Sequence, residues 1–138
     1  LPICIFAPLA GLGSLDLRDD AALLSPPPGH QLVATTDALV AGVHFFPNDP
    51  APLIARKALR VNVSDLAAKA ADPWAYLLSL ALPQEGDVDW LKAFAQGLKH
   101  ALSHAPSEPT PESAKSSTIR PVLWLKPNEA QSPSSSHN

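Results

Sequence analysis

The chain contains no methionine and one cysteine, Cys4. A single cysteine excludes an intrachain disulfide and any cysteine-built zinc cluster, and it suits a reducing cytosol. Basic residues are few: lysine plus arginine number 10 against 13 aspartates and glutamates, a net charge of −3. With no basic cluster, a nucleic-acid surface is not expected, and neither is a membrane-surface helix with its polybasic face. No apolar run approaches the roughly 20 residues of a spanning helix. The opening LPICIFAPLAG is apolar but short, is interrupted by Pro2 and Pro8, and has no basic segment before it. It therefore does not read as a signal peptide. Also lacking are a GxxxxGK[ST] loop and a kinase-type GxGxxG followed by HRD, so phosphate would not be held by a Walker or protein-kinase loop. Without an initiating methionine, the chain is expected to be an internal piece of a longer reading frame.

What is present suits one domain of ordinary size: 138 residues, 46% of them apolar. The chain is organised around residues 31–71. Leu32-Val33-Ala34 ends abruptly in Thr35-Thr36-Asp37, a loop with Gly42, His44, Phe45 and Phe46 follows, and Asp49-Pro50 opens a long helical pattern. Asp49 is the expected cap and Pro50 the expected first residue. Ile54, Ala58, Val61, Leu66 and Ala70 recur near helical spacing until Asp72-Pro73 stops the pattern. Upstream, Ser25-Pro26-Pro27-Pro28-Gly29 predicts a turn, with Leu23-Leu24 and Leu32-Val33 as arms of a hairpin. Downstream, residues 76–82 predict a buried strand. Asp87 is expected to cap a second helix with Trp90, Leu91, Phe94, Leu98, Ala101 and Leu102 on one face. From about His104 the chain is crowded with serine and proline around one apolar cluster, Val122 to Leu125. Such a segment buries too little area to offset its ordering entropy. Residues 104–138 are expected to be a disordered or out-of-frame tail on a domain spanning residues 1–103.

The chemistry-bearing residues are hard oxygen donors. Asp37 follows two hydroxyls at the end of an apolar run, and Asn62, Ser64 and Asp65 sit in mid-helix, where such residues are poor helix formers. They face either water or a site. Asp19 and Asp20 are adjacent, so on a strand at most one faces a given site; a solvated turn is the other reading. The hairpin would bring Asp20 toward Thr35, Thr36 and Asp37. Magnesium takes a few carboxylates plus phosphate oxygens, and phosphoryl transfer needs its charge neutralised. Asp20, Asp37 and Asp65 with Thr35 and Thr36 suit that task.

The segments DDAALL, TTDALVAGVHFF and RKALRVNVSDLAAKAADP resemble the N-terminal part of thiamine-monophosphate kinase, of the aminoimidazole ribonucleotide synthetase-like superfamily. The resemblance runs from about Phe6 to Leu98. It implies an α+β fold: the N-terminal half of an aminoimidazole ribonucleotide synthetase-like domain, a mixed β-sheet covered by two helices, with the disordered tail beyond. It implies phosphorylation of thiamine monophosphate to thiamine diphosphate, with ATP as co-substrate, magnesium as cofactor, a homodimer and a cytoplasmic setting. It assigns magnesium to Asp20, Thr35, Thr36, Asp37 and Asp65, and substrate contact to His44.

Two departures accompany the resemblance. Arg18 stands before the Asp19-Asp20 pair, where the family carries a small or apolar residue, and no Gly-Gly-Asp strand follows Leu98. The 138 residues alone are therefore expected to be inactive. Rival readings are another enzyme of the superfamily, of selenophosphate synthetase or hydrogenase-maturation type, or a non-catalytic dimerising or nucleotide-binding fragment. Cys4 lacks the glycine-rich context of a selenophosphate enzyme.

Overall fold

Between Leu53 and Asp72 the sequence has neither glycine nor proline, and the backbone there is mostly helical. The computed structural model describes residues 3–17, 21–82, 87–103 and 120–123. Its elements are a short helix α1 (Ile3–Phe6), α2 (Ala51–Ala67), strand β1 (Ala75–Leu78), α3 (Val88–Ser103) and strand β2 (Arg120–Leu123), with 3-10 turns at Ala7–Leu9 and Leu12–Leu17.

Helix α2 begins one residue later than expected. Pro50 is the cap, and Pro52 lies in the first turn, where a missing N–H costs nothing. Asp49 instead closes the preceding turn, its Oδ2 accepting the Phe46 N–H at 2.9 Å. The helix ends five residues before Asp72, at Ala67. Ala70 takes the left-handed conformation (φ +52°), and the Ala71 N–H donates back to the Leu66 carbonyl at 3.0 Å. This is a helix reversal of the kind usually made with glycine. Pro73 disfavours helical backbone at Asp72, so the chain turns upstream of it.

The cap of α3 is the expected one: the Asp87 Oδ1 accepts the Asp89 N–H at 2.8 Å. Leu91, Phe94 and Leu98 are buried along one face, as their spacing predicts. They meet Ala51, Ile54 and Ala55 of α2 and the wholly buried Phe6 of α1. The Phe94 ring packs edge-on against Phe6 (centroids 6.5 Å apart, planes at 64°) and stacks on Trp90 at 5.1 Å, favoured aromatic geometries. The two long helices approach backbone to backbone at one point. A Cβ on Gly97 would stand 2.4 Å from the Pro52 Cα and 2.7 Å from its carbonyl oxygen.

Strands β1 and β2 pair in parallel, Ala75 opposite Arg120 and Leu78 opposite Leu123. A parallel pair needs a crossover connection, commonly helical, and α3 lies within it. Tyr76, Leu78, Leu80 and Leu82 pack against the core while Leu77 is exposed, the alternation of a half-buried strand. Residues 120–123 lie inside the segment expected to lack order; residues 104–119 and 124–138 fall outside the described residues.

The expected hairpin does not form. Residues 21–40 carry no ladder, and the Leu23 N–H donates to the Gly13 carbonyl at 3.1 Å. Leu23 is 72% exposed and Leu32 56%. Three prolines remove three donors from the turn, and two strands alone are marginal without a layer to bury them. The turn itself is present, with Gly29 at φ +79°.

Two outcomes follow from this packing. Gly97→Ala forces α2 and α3 apart and should cost about 1–3 kcal/mol, partly offset by about 1 kcal/mol of helix propensity. A raised midpoint in urea unfolding would show that the helices are not this close. Tyr76 is the only tyrosine, and its buried hydroxyl has no hydrogen-bond partner among the described residues. Desolvation pushes its pKa above the usual tyrosine range. The folded state therefore favours the protonated phenol, and the stability this represents is lost as pH rises past about 10. Ultraviolet titration should show the phenol still protonated at pH 11 in the folded chain and ionising near 10 in urea. A normal folded-state titration would overturn the burial.

Candidate functional site

One face of α2 carries Leu53, Arg56, Lys57, Arg60, Val61, Ser64 and Asp65 at three- and four-residue spacing. With Asp37 these residues line an open groove of about 490 Å³. Two hydrogen bonds hold the Thr35-Thr36-Asp37 segment against this helix. The Thr35 hydroxyl donates to the Asp65 Oδ2 at 3.2 Å, and the Asp37 N–H donates to the Asn62 Oδ1 at 3.0 Å. Asn62 in turn donates from Nδ2 to the Ala58 carbonyl at 2.9 Å. Its amide thus ties the segment to the helix backbone, which accounts for a polar residue in mid-helix. Asn62 is half-buried, whereas Asp37 and Asp65 are exposed to the groove.

The loop between this segment and α2 is closed by its own hydrogen bonds. Val43 and His44 donate their N–H groups to the Val40 carbonyl at 3.2 and 2.9 Å, and Gly42 donates to the Phe45 carbonyl at 2.8 Å. Gly42 sits at φ +77°, a conformation glycine adopts without strain. The His44 Nδ1 accepts the Val40 N–H at 3.0 Å. From α2, the Lys57 Nζ donates to the His44 carbonyl. Arg56 and Arg60 line the groove without an ion pair; among the described residues the one salt bridge is Lys92–Asp89.

Of the expected site residues, Asp37 and Asp65 share the groove, Thr35 bonds to Asp65, and Thr36 is exposed between Thr35 and Asp37. His44 is tied to the groove-lining Lys57 through its main chain. Asp20 lies outside the described residues. Among the described residues no three His, Cys, Asp or Glu side chains gather as a metal-binding group. The two carboxylates nonetheless fit magnesium's preference for one or two carboxylates with the remaining positions on water and phosphate. Sequence reasoning missed Arg56, Lys57, Arg60 and the tethering role of Asn62. The cations repeat at helical spacing with Asp65, a signal that periodicity could have supplied.

The fold thus sets two packed helices beside a parallel strand pair and presents acidic and basic side chains to one groove. Residues 18–107 match the family AIR synthase related protein, N-terminal domain, and the chain belongs to that family. Its relatives include proteins named thiamine-monophosphate kinase. That of Caulobacter vibrioides is 53% identical over 85 residues, 62% of this chain and 24% of that protein. That of Salmonella typhimurium is 53% identical over 89 residues, 64% of this chain and 27% of that protein. That of Escherichia coli K12 is 50% identical over 93 residues, 65% of this chain and 27% of that protein. The chain therefore spans about a quarter of the length of the curated relatives it matches.

The Asn62 tether can be tested without a ligand. Asn62→Ala should speed hydrogen exchange of the Asp37 amide by about five-fold, the scale of one lost hydrogen bond, and leave the amides of Ile54 and Ala55 unchanged. Equal exchange at Asp37 in both proteins would show that the tether is not formed in solution.

Proposed function

We propose that this chain is the N-terminal, nucleotide- and magnesium-binding part of a thiamine-monophosphate kinase, which transfers a phosphoryl group from ATP to thiamine monophosphate and yields thiamine diphosphate. One observation carries the reading: the Thr35–Asp65 and Asp37–Asn62 hydrogen bonds draw two sequence-distant polar motifs onto one groove. The names of relatives 50–53% identical support it.

In this reading Asp37 and Asp65, with Thr35 and Thr36 beside them and Asp20 from the preceding segment, would hold magnesium. Magnesium, when bound, neutralises charge on the transferring phosphoryl group. The protein's own part is positioning. Thr35 orients the Asp65 carboxylate, Asn62 fixes the backbone at Asp37, and Arg56 and Arg60 add positive charge where phosphate oxygens lie. His44 serves the thiamine monophosphate side. The complete sheet would be the mixed sheet of an aminoimidazole ribonucleotide synthetase-like domain. Exposed Leu32, Val33, Val40, Val43 and Phe46 suit burial against a second copy in a homodimer. We place the reaction in the cytoplasm; among the described residues no helix is long and apolar enough to cross a membrane.

Calorimetry with ATP and magnesium tests the metal assignment. Asp37→Asn and Asp65→Asn keep size and remove charge, and each should weaken binding about ten-fold or more, as loss of a charged contact does. Asp72→Asn, beyond α2 and off the groove, should stay within about two-fold. Equal losses at all three positions would sink the assignment of the site to this groove.

A further inference from the structure

The His44 loop leaves its imidazole little choice of hydrogen position. A backbone N–H is always a donor, and the Val40 N–H points at the His44 Nδ1 from 3.0 Å. That nitrogen must supply a lone pair, so in the neutral ring the hydrogen sits on Nε2. The loop has no slack to present the other nitrogen: Val40 also accepts from the His44 N–H, and Gly42 is bonded to Phe45. The Lys57 Nζ pins the His44 carbonyl from outside the loop, anchoring residue 44 to the rigid face of α2.

We infer that Lys57 and the Val40 amide are positioning groups that hold His44 in its Nε2–H form, so that the loop offers a hydrogen-bond donor to an anionic oxygen and no lone pair to a metal. A cation at Nε2 would require the hydrogen on Nδ1, opposite the Val40 N–H, two donors facing each other. An oxygen of a phosphate monoester or of inorganic phosphate meets the N–H directly. Which phosphate arrives rests on the kinase reading; the hydrogen position does not.

Nitrogen-15 NMR of the histidine side chains in the 138-residue chain reads the tautomer directly, with the His44 signals assigned by their loss in His44→Gln. One hydrogen bond corresponds to about a five-fold change in an equilibrium. The folded chain should therefore favour the Nε2–H form by roughly five-fold more than the same chain unfolded in urea. A ring with its hydrogen on Nδ1, in either charge state, overturns the inference. Lys57→Met should return the ratio toward the urea value, and Lys57→Arg should restore it; an unchanged ratio in Lys57→Met removes Lys57 from the mechanism. Magnesium-free inorganic phosphate should shift the Nε2 signal of the wild-type chain. The expected tautomer without that shift overturns the anion-donor role. A failed kinase reading would show separately, as no dependence of ATP–magnesium affinity on Asp37 and Asp65.

Discussion

The contact on which the molecule depends is the approach of α3 to the start of α2 at Gly97 and Pro52. No side chain larger than hydrogen fits there, because a Cβ would fall inside the van der Waals radius of the Pro52 backbone. That closeness lets Leu91, Phe94 and Leu98 reach Ala51, Ile54 and Ala55, and it encloses Phe6 between them. The alanines on α2 matter for the same reason. Small residues on one helix receive large ones from the other, so the volume fills without strain.

This contact also decides what the rest of α2 can do. Burial is concentrated in the first turns of the helix, at Ala51, Ile54 and Ala55. The later turns, with Asn62, Ser64 and Asp65, are only half-buried or exposed. One end of the helix is fixed by packing, and the other offers polar groups from a rigid scaffold. Two side-chain hydrogen bonds then attach Thr35 and Asp37 to that scaffold, and Lys57 attaches the His44 loop. Each tether is worth about 1 kcal/mol, so the site is assembled by several modest bonds on one firm element.

The groove mixes charges without pairing them. Asp37 and Asp65 share it with Arg56 and Arg60, yet no ion pair closes across it. Exposed pairs would contribute little to stability in any case. Left open, both signs remain available to a ligand that is itself anionic and accompanied by cations, which is the character of a magnesium nucleotide.

Helices α2 and α3 and the Asp87 cap were legible in the sequence, because each depends on neighbours three or four residues away. A strand near Tyr76 was legible too, but it is half-buried with Leu77 exposed where a buried strand was expected. The resemblance of TTDALVAGVHFF and VNVSDLAAKAA to a kinase family was equally legible, and membership of the AIR synthase related family bears it out. Local sequence could not decide the hairpin across Pro26 to Pro28, since strand pairing depends on a covering layer and not on the turn alone. Nor could it show that Asn62 faces Asp37 or that Gly97 is pressed against Pro52. Those are contacts between residues from 25 to 45 positions apart in the chain, and only the packing of α3 on α2, with the segments laid over it, brings them within reach.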